Sequence, residues 1–538
     1  MKNRMAFVCA HSRARVDAMT AKRQISAFVL AGCVIGILEG CGGAGVTSTT
    51  PPQNQLSTPT VAVIPSTTSL TTAQVLSVTV TVSGSAGASA GSITLASGSY
   101  GSFATTLANG TATIVIPAGL LVAGSDTVTA SYVPNATSAA TYNSATGTAS
   151  VTVTLAAGTP AVTTSYVTYP TVSAPFQAIV SPSGTVFVAV ANGVQIFTPG
   201  NGALTPACVN TLPSTLLSEG GSVSELSYLP NRTDIAAGIG SPGAIFYNAA
   251  ALQTCSATGY VVSQGSIASD QGSQAVAVTP DGKYAFVSNE YGVAAGATTE
   301  GNVGVVALQY DGNGNVNGAT LVGQISTGGT AIAGMLLSPD GTRLYVTSEI
   351  AGSSSQGSGS SNPILARTGC VQQTGGASNI NGLLTVINVA TAETSPGASA
   401  ILATVNAGCS PVRMAETANG STLWVAARGD NRVLAFSTGM LELAPANALL
   451  GYADTGGTAP VGIALLNSDT LLAVANSNRF NAGVANAAIL SVAYPPAASV
   501  VQTVTTGLFP REITTGSDDA TLYLTNYDSN TLEVISTK

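Results

Sequence analysis

LLSPDGTRLYVTSE, running from Leu336 to Glu349, decides how this chain reads. Pro339-Asp340-Gly341 is a turn: the proline pre-sets φ, the aspartate bonds back to the local backbone, and the glycine accepts positive φ. The runs on either side are short, β-branched and aromatic, as strands are. The phrase is therefore one antiparallel strand pair. It returns as AIVSPSGTVFVAVANGVQIF from Ala178, AVTPDGKYAFVSNE from Ala277, AETANGSTLWVAARGDNRVLAF from Ala415 and TTGSDDATLYLTNYDSNTLEVI from Thr514. Weaker copies are LSYLPNRTDIAAGIG from Leu226 and ALLNSDTLLAVANSN from Ala464. The aromatic or small residue of the second strand falls at Phe187, Ala236, Phe286, Tyr345, Trp424, Ala473 and Tyr523, at spacings of 49, 50, 59, 79, 49 and 50. A nearly fixed period with two insertions is the mark of a repeat architecture, each repeat a small antiparallel sheet. Such sheets set radially protect their edges, which predicts an all-β fold with a seven-bladed β-propeller over residues 163–538.

The last repeat ends at Ile535 after only three strands. Ser165-Tyr166-Val167-Thr168-Tyr169, ahead of the first repeat, reads as the missing outer strand, so the N-terminal end closes the ring. On the phrases Ser338 to Thr347, Thr279-Pro280-Asp281-Gly282-Lys283 and VVALQYDGNGN from Val305, this part of the chain resembles the YVTN-repeat and lactonase-like seven-bladed propellers. The resemblance implies a central channel, and in that family lactone chemistry is associated with His, Arg and Glu around it.

The N-terminus carries a targeting signature. Lys22 and Arg23 precede the apolar run Ile25 to Leu38, and Leu38-Glu39-Gly40-Cys41 follows. A charged segment, a short apolar segment and a small-residue site make a signal peptide over 1–41. Leu-x-Gly-Cys resembles the bacterial lipobox, which implies acylation of Cys41; a plain secretory signal with a chance cysteine is the other reading. Gly42 rather than Asp after that cysteine resembles the outer-membrane sorting rule of Gram-negative lipoproteins. The expected location is the cell envelope, anchored to the outer membrane and facing either side. Residues 42–59 are rich in Gly, Ser, Thr and Pro and read as a flexible tether. Residues 60–155 alternate repeatedly, as in VLSVTVTVSG from Val75 and TATIVIPAG from Thr111, with turn signals every 8–12 residues, which predicts a β-sandwich. On Ala130-Ser131-Tyr132, Tyr142 and the final Ser-Val-Thr-Val-Thr strand it resembles bacterial Ig-like surface domains, which implies a spacer or an adhesive module.

Composition narrows the chemistry. Of 538 residues only 7% are charged, and the net charge is −8. No basic patch with interleaved aromatics appears, so nucleic acid is not an expected partner. The one histidine, His11, lies in the signal. A mature chain without imidazole excludes Ser-His-Asp and Cys-His catalysis, His-ligated haem and typical zinc sites. Of the lactonase-type set, only Arg and Glu remain. Asp311-Gly312-Asn313-Gly314-Asn315 begins like a calcium loop, but Val316 stands where Gly is needed and Val322 where Glu is needed. A tight turn is the better reading. No cofactor is expected and no metal site is assigned; a divalent cation held in the channel by side chains such as Glu225, Asn289, Glu349 and Asn476 stays open.

Four cysteines follow the lipobox. Cys208 and Cys255 lie 11 and 9 residues after Phe197 and Phe246, matching positions in adjacent repeats. The expected disulfides are 208–255 and 370–409, with free buried thiols as the other reading. In a propeller, the loops after each second strand and the starts of the first strands share one face. Arg428, Arg432 and Arg479 fall in such loops, and Arg413 and Arg511 follow Pro411 and Pro510 at first-strand starts. Glu290, Glu300 and Glu349 belong to the same face, as do the insertions 291–300 and 351–381. Glu416 and Glu512 are the acidic residues nearest the two channel arginines, but Glu512 adjoins Arg511 and points to the other side of the strand. The set Arg413, Arg428, Arg432, Arg479, Arg511, Glu290 and Glu349 reads either as inter-blade ion pairs or as a polar funnel. A funnel would take an anionic small molecule, a glycan or an envelope protein, while the lipid anchor holds the membrane. Function then divides between a lipid-anchored binding or scaffold protein and a lactonase-type or divalent-metal hydrolase.

Overall fold

The computed structural model of the chain describes residues 56–537 apart from 73, 86, 98–99, 103, 117, 119–120, 122–123, 155–161, 201, 231–233, 263–271, 291–299, 352–380, 480–484 and 495–496. The signal, Cys41, most of the tether, Cys370 and most of both insertions lie outside the described residues. Among the described residues, no helix is long and apolar enough to cross a membrane.

From Thr164 onward the described chain forms seven four-stranded antiparallel sheets. Their first strands are Pro175–Val180, Leu226–Tyr228, Val276–Val278, Gly329–Leu337, Pro411–Glu416, Pro460–Leu466 and Pro510–Thr515. Each first strand touches that of the next sheet, and the seventh touches the first. The seven sheets are thus the blades of a closed β-propeller with the first strands innermost. Thr164–Pro170 pairs antiparallel with Thr531–Thr537, so the outer strand of blade 7 comes from the N-terminal side.

The turn phrase explains the first hairpins of blades 3, 4 and 5. Asp340 Oδ1 accepts from the Ser338 hydroxyl at 2.6 Å and the Thr342 amide at 3.0 Å, and Gly341 sits at φ 70°. Blade 3 repeats this with Thr279, Asp281 and Gly282, and blade 5 with Thr417, Asn419 and Gly420. A Ser or Thr two residues before the Asp or Asn is therefore part of the signal. Asp311 accepts from the Asn313 and Asn315 amides between strands Asn302–Tyr310 and Val316–Ser326, which makes that segment a turn.

The propeller core lies between blades. Phe187 of blade 1 clusters with Ile235 and Ile245 of blade 2. Trp424, wholly buried, clusters with Val461, Ile463 and Leu472 of blade 6. Threonines of the repeat phrase add polar ties: Thr347 donates to the Val412 carbonyl of blade 5 at 2.5 Å, and Thr525 to the Phe176 carbonyl of blade 1 at 2.9 Å. Cys208, on the outer strand of blade 1, is disulfide-bonded to Cys255 of blade 2. Cys409 is disulfide-bonded too, while its expected partner Cys370 lies outside the described residues.

Residues 57–154 form two further sheets around one core. Thr60–Pro65 and Thr111–Ile116 flank Leu76–Gly84 in one sheet. Gly91–Ser97, Gly124–Pro134 and Ala145–Thr154 lie side by side in the other. Leu76, Val78 and Val80 alternate inward from the first sheet, against Ile93, Leu95, Val128 and Tyr132 of the second. The sequence alternation is this inward–outward period of two.

Candidate functional site

The site begins with backbone strain. Ala331, Ser410, Ala459 and Phe509, just before the inward parts of blades 4 to 7, are non-glycine residues at φ 56°, 48°, 51° and 52°. Such residues cost about 1–3 kcal/mol each and persist only where the surroundings hold them. In the last three blades a proline follows, and in all four a β-bulge interrupts the first strand. A bulge takes residues out of the ladder and re-aims their side chains. The bulge places Ala333, Val412, Val461 and Arg511 around one cavity of about 230 Å³. Gln274, Glu290, Ile332, Glu349, Arg413, Arg428, Arg479 and Phe509 complete its wall.

Six of the seven arginines and glutamates expected at this face are therefore brought together. Arg432 is the exception. It pairs with exposed Asp454 at 3.0 Å, lies over the Tyr452 ring, and does not line the cavity. Its position at the start of a third strand, Arg432–Ser437, sets it radially outward of the first strands. Glu300 accepts from the Ser326 hydroxyl and is likewise not a wall residue.

Arg413 is spoken for. Its Nε donates to Glu512 Oε2 of blade 7 at 2.5 Å, and its Nη2 lies 2.5 Å from Glu225 Oε1 of blade 2. All three side chains are at most 14% exposed, so the triad ties three blades together in a poorly hydrated channel. Burial pushes the Glu225 carboxyl up to about 7, partly offset by Arg413 and reinforced by Glu512. The two carboxylates hold the Arg413 proton more tightly than usual in spite of its burial. Arg428 is ion-paired with Glu349. Arg479 lies over the Phe509 ring at 5.4 Å.

Arg511 differs. Among the described residues it has no carboxylate within ion-pair distance and donates no hydrogen bond, and its Nε is buried without a partner. Three rings wall its guanidinium: Phe176 at 4.4 Å, Tyr527 at 5.5 Å and Phe509 at 5.9 Å. Burial, then the charges of Arg413 and Arg479, pull its pKa down to about 10, so it remains a cation at neutral pH. Sequence reasoning missed this aromatic wall. The available signal was Pro175-Phe176, which aligns with Pro510-Arg511 and puts Phe176 in the same slot one blade on.

The channel asparagines do other work. Asn289 donates to Asn302 and Asn476 to Asn486, each at 2.7 Å, where a second strand hands over to a third. Among the described residues, no group of three or more His, Cys, Asp or Glu is placed to hold a metal ion.

No protein-family model matches the chain, and no curated protein matches it. Among solved structures it is similar to a chain in the crystal structure of a mitotic checkpoint complex, at 11% identity and a TM-score of 0.46, covering 69% of this chain and 90% of that one.

Proposed function

We propose that this protein is an exported, lipid-anchored β-propeller of the YVTN type that binds an anionic ligand at the mouth of its channel, held off the membrane by an Ig-like spacer. Cys41 and the tether supply the anchor. The two-sheet unit at residues 57–154 supplies the spacer. Its split start supports the Ig-like reading: Thr60–Pro65 pairs in one sheet, while Ser69–Thr71 runs parallel to the last strand of the other.

One observation carries the binding reading. Arg511 is a walled-in guanidinium with no carboxylate partner among the described residues, opening on a cavity. A cation taken out of water is costly unless something compensates it. Ring faces compensate in part, by about 2 kcal/mol or more for a desolvated contact, without supplying a counter-charge. The rest is available to an anion. Because Arg511 joins no ion pair, Arg511→Gln should fold normally. Wild-type protein should gain thermal stability with added small anions, and Arg511→Gln should not. Equal anion effects on both proteins would sink the proposal; unfolding of Arg511→Gln would make the residue structural.

A hydrolase in the same cavity is the second reading. Glu225, with its carboxyl near 7, has a proton affinity suited to general-base work. Its engagement by Arg413 counts against that role. Lactone hydrolysis that is lost in Glu225→Gln would favour it.

A further inference from the structure

Resting on the anion-binding reading, we infer that the pocket is built for a small monocarboxylate with a short apolar tail. Three features choose among anions. The first is geometry. Arg511 has its Nε buried and three rings around its guanidinium, so only its terminal nitrogens are left to reach the cavity. Two in-plane N–H groups at the end of a guanidinium match the two coplanar oxygens of a carboxylate.

The second is charge. Among the described residues, four guanidiniums, Arg413, Arg428, Arg479 and Arg511, stand around the cavity and directly behind it against four carboxyls, Glu225, Glu290, Glu349 and Glu512. The set balances when all are ionised and carries one excess positive charge when Glu225 holds a proton. It offsets one negative charge; a dianion would leave buried negative charge uncompensated.

The third is the rest of the wall. Ile332, Ala333, Val412 and Val461 offer an apolar surface beside the cation. A cavity of about 230 Å³ holds roughly eight water volumes at ~30 Å³ each. That fits a carboxylate with a tail of a few carbons.

The test is a titration of the intact protein, by calorimetry and thermal shift, with sodium pentanoate, pentanamide, glutarate, inorganic phosphate and acetate. Pentanoate should bind at least about tenfold more tightly than pentanamide, glutarate or phosphate, as one charge-assisted pair would give. Arg511→Gln should lose pentanoate binding. Ala333→Leu, which fills the tail space and leaves Arg511 alone, should weaken pentanoate about tenfold and spare acetate. Phosphate or glutarate binding as tightly as pentanoate, in an Arg511-dependent way, would overturn the monocarboxylate inference and leave the anion reading standing. Pentanamide equal to pentanoate would overturn the role given to the charge. If no anion of the panel binds, both readings fall.

Discussion

Replacing Arg413 by Met tests the triad that spans the channel. The change keeps most of the apolar stem and removes the only group, among the described residues, within ion-pair distance of both Glu225 and Glu512. Two carboxyls that are nearly inaccessible are then left together. The cheapest escape is for one of them to fold as the neutral acid. That escape costs about 1.4 kcal/mol for each pH unit above the ordinary value of 4.5. Wild type already bears about 3.4 kcal/mol of this cost at pH 8, because its own Glu225 carboxyl is raised to about 7, so the pH-dependent deficit of Arg413→Met is the remainder, about 1.4 kcal/mol at pH 8 and close to zero at pH 5 and 6. The sign follows from proton binding. A carboxyl raised in the folded state binds more protons than in the unfolded state, so its contribution is present below about 4.5 and lost as pH rises through the folded value. Wild type should lose stability in the same way up to about pH 7, because burial raises its Glu225 carboxyl to about 7. Urea-unfolding midpoints of wild type and Arg413→Met at pH 5, 6, 7 and 8 should run in parallel up to about pH 7 and diverge above it. A deficit independent of pH would mean that Arg413 acts by packing, and the electrostatic reasoning would be refuted.

Cys41→Ser should move the protein from the membrane to the soluble fraction, since acylation there is its proposed hold on the bilayer; a cleaved variant that stays membrane-bound would end the lipoprotein reading. Deleting Thr164–Pro170 exposes the edge of Thr531–Thr537 and should cause aggregation or a large drop in thermal midpoint. An unchanged midpoint would show that closure contributes little. Cys208→Ser/Cys255→Ser should lose up to about 4 kcal/mol, because the bond closes a loop of 47 residues in the unfolded chain; chemical denaturation of the variant beside wild type, both without reductant, reads this with the bond at Cys409 left intact.

The fold was legible because its signals are local. Asp340 and Gly341 define their turn within a few residues, and the repeat multiplies that signal seven times. The closing strand could be found by counting the strands of the last repeat. Site chemistry was less legible because its partners are remote. Arg413 meets Glu512 across 99 positions, and Arg428 meets Glu349 across 79. Glu416, close to Arg413 in sequence, lies near the opposite end of the strand and accepts from the Tyr345 hydroxyl. Alternation rightly denies Glu512 to Arg511, but it holds only for a regular strand. The bulges break that alternation. Counted from the prolines, Arg413 and Glu512 share one slot, while Arg511 occupies the slot before it.

That pair of slots has an evolutionary consequence. Bulged residues are exempt from the strand ladder, so their side chains can be exchanged without disturbing the hydrogen bonds that hold a blade. The slot holds Phe176, Ala333, Val412, Val461 and Arg511 in five blades of one molecule. The slot after it is more constrained. A Cβ on Gly334 would meet the Val412 carbonyl at 2.3 Å, and one on Gly462 would meet Glu512 Cα at 2.7 Å. One ring of positions is thus free to drift toward new ligands, while its neighbour guards the spacing of the blades. A family built on this chassis can change its specificity by single substitutions at the outer slot and keep its stability.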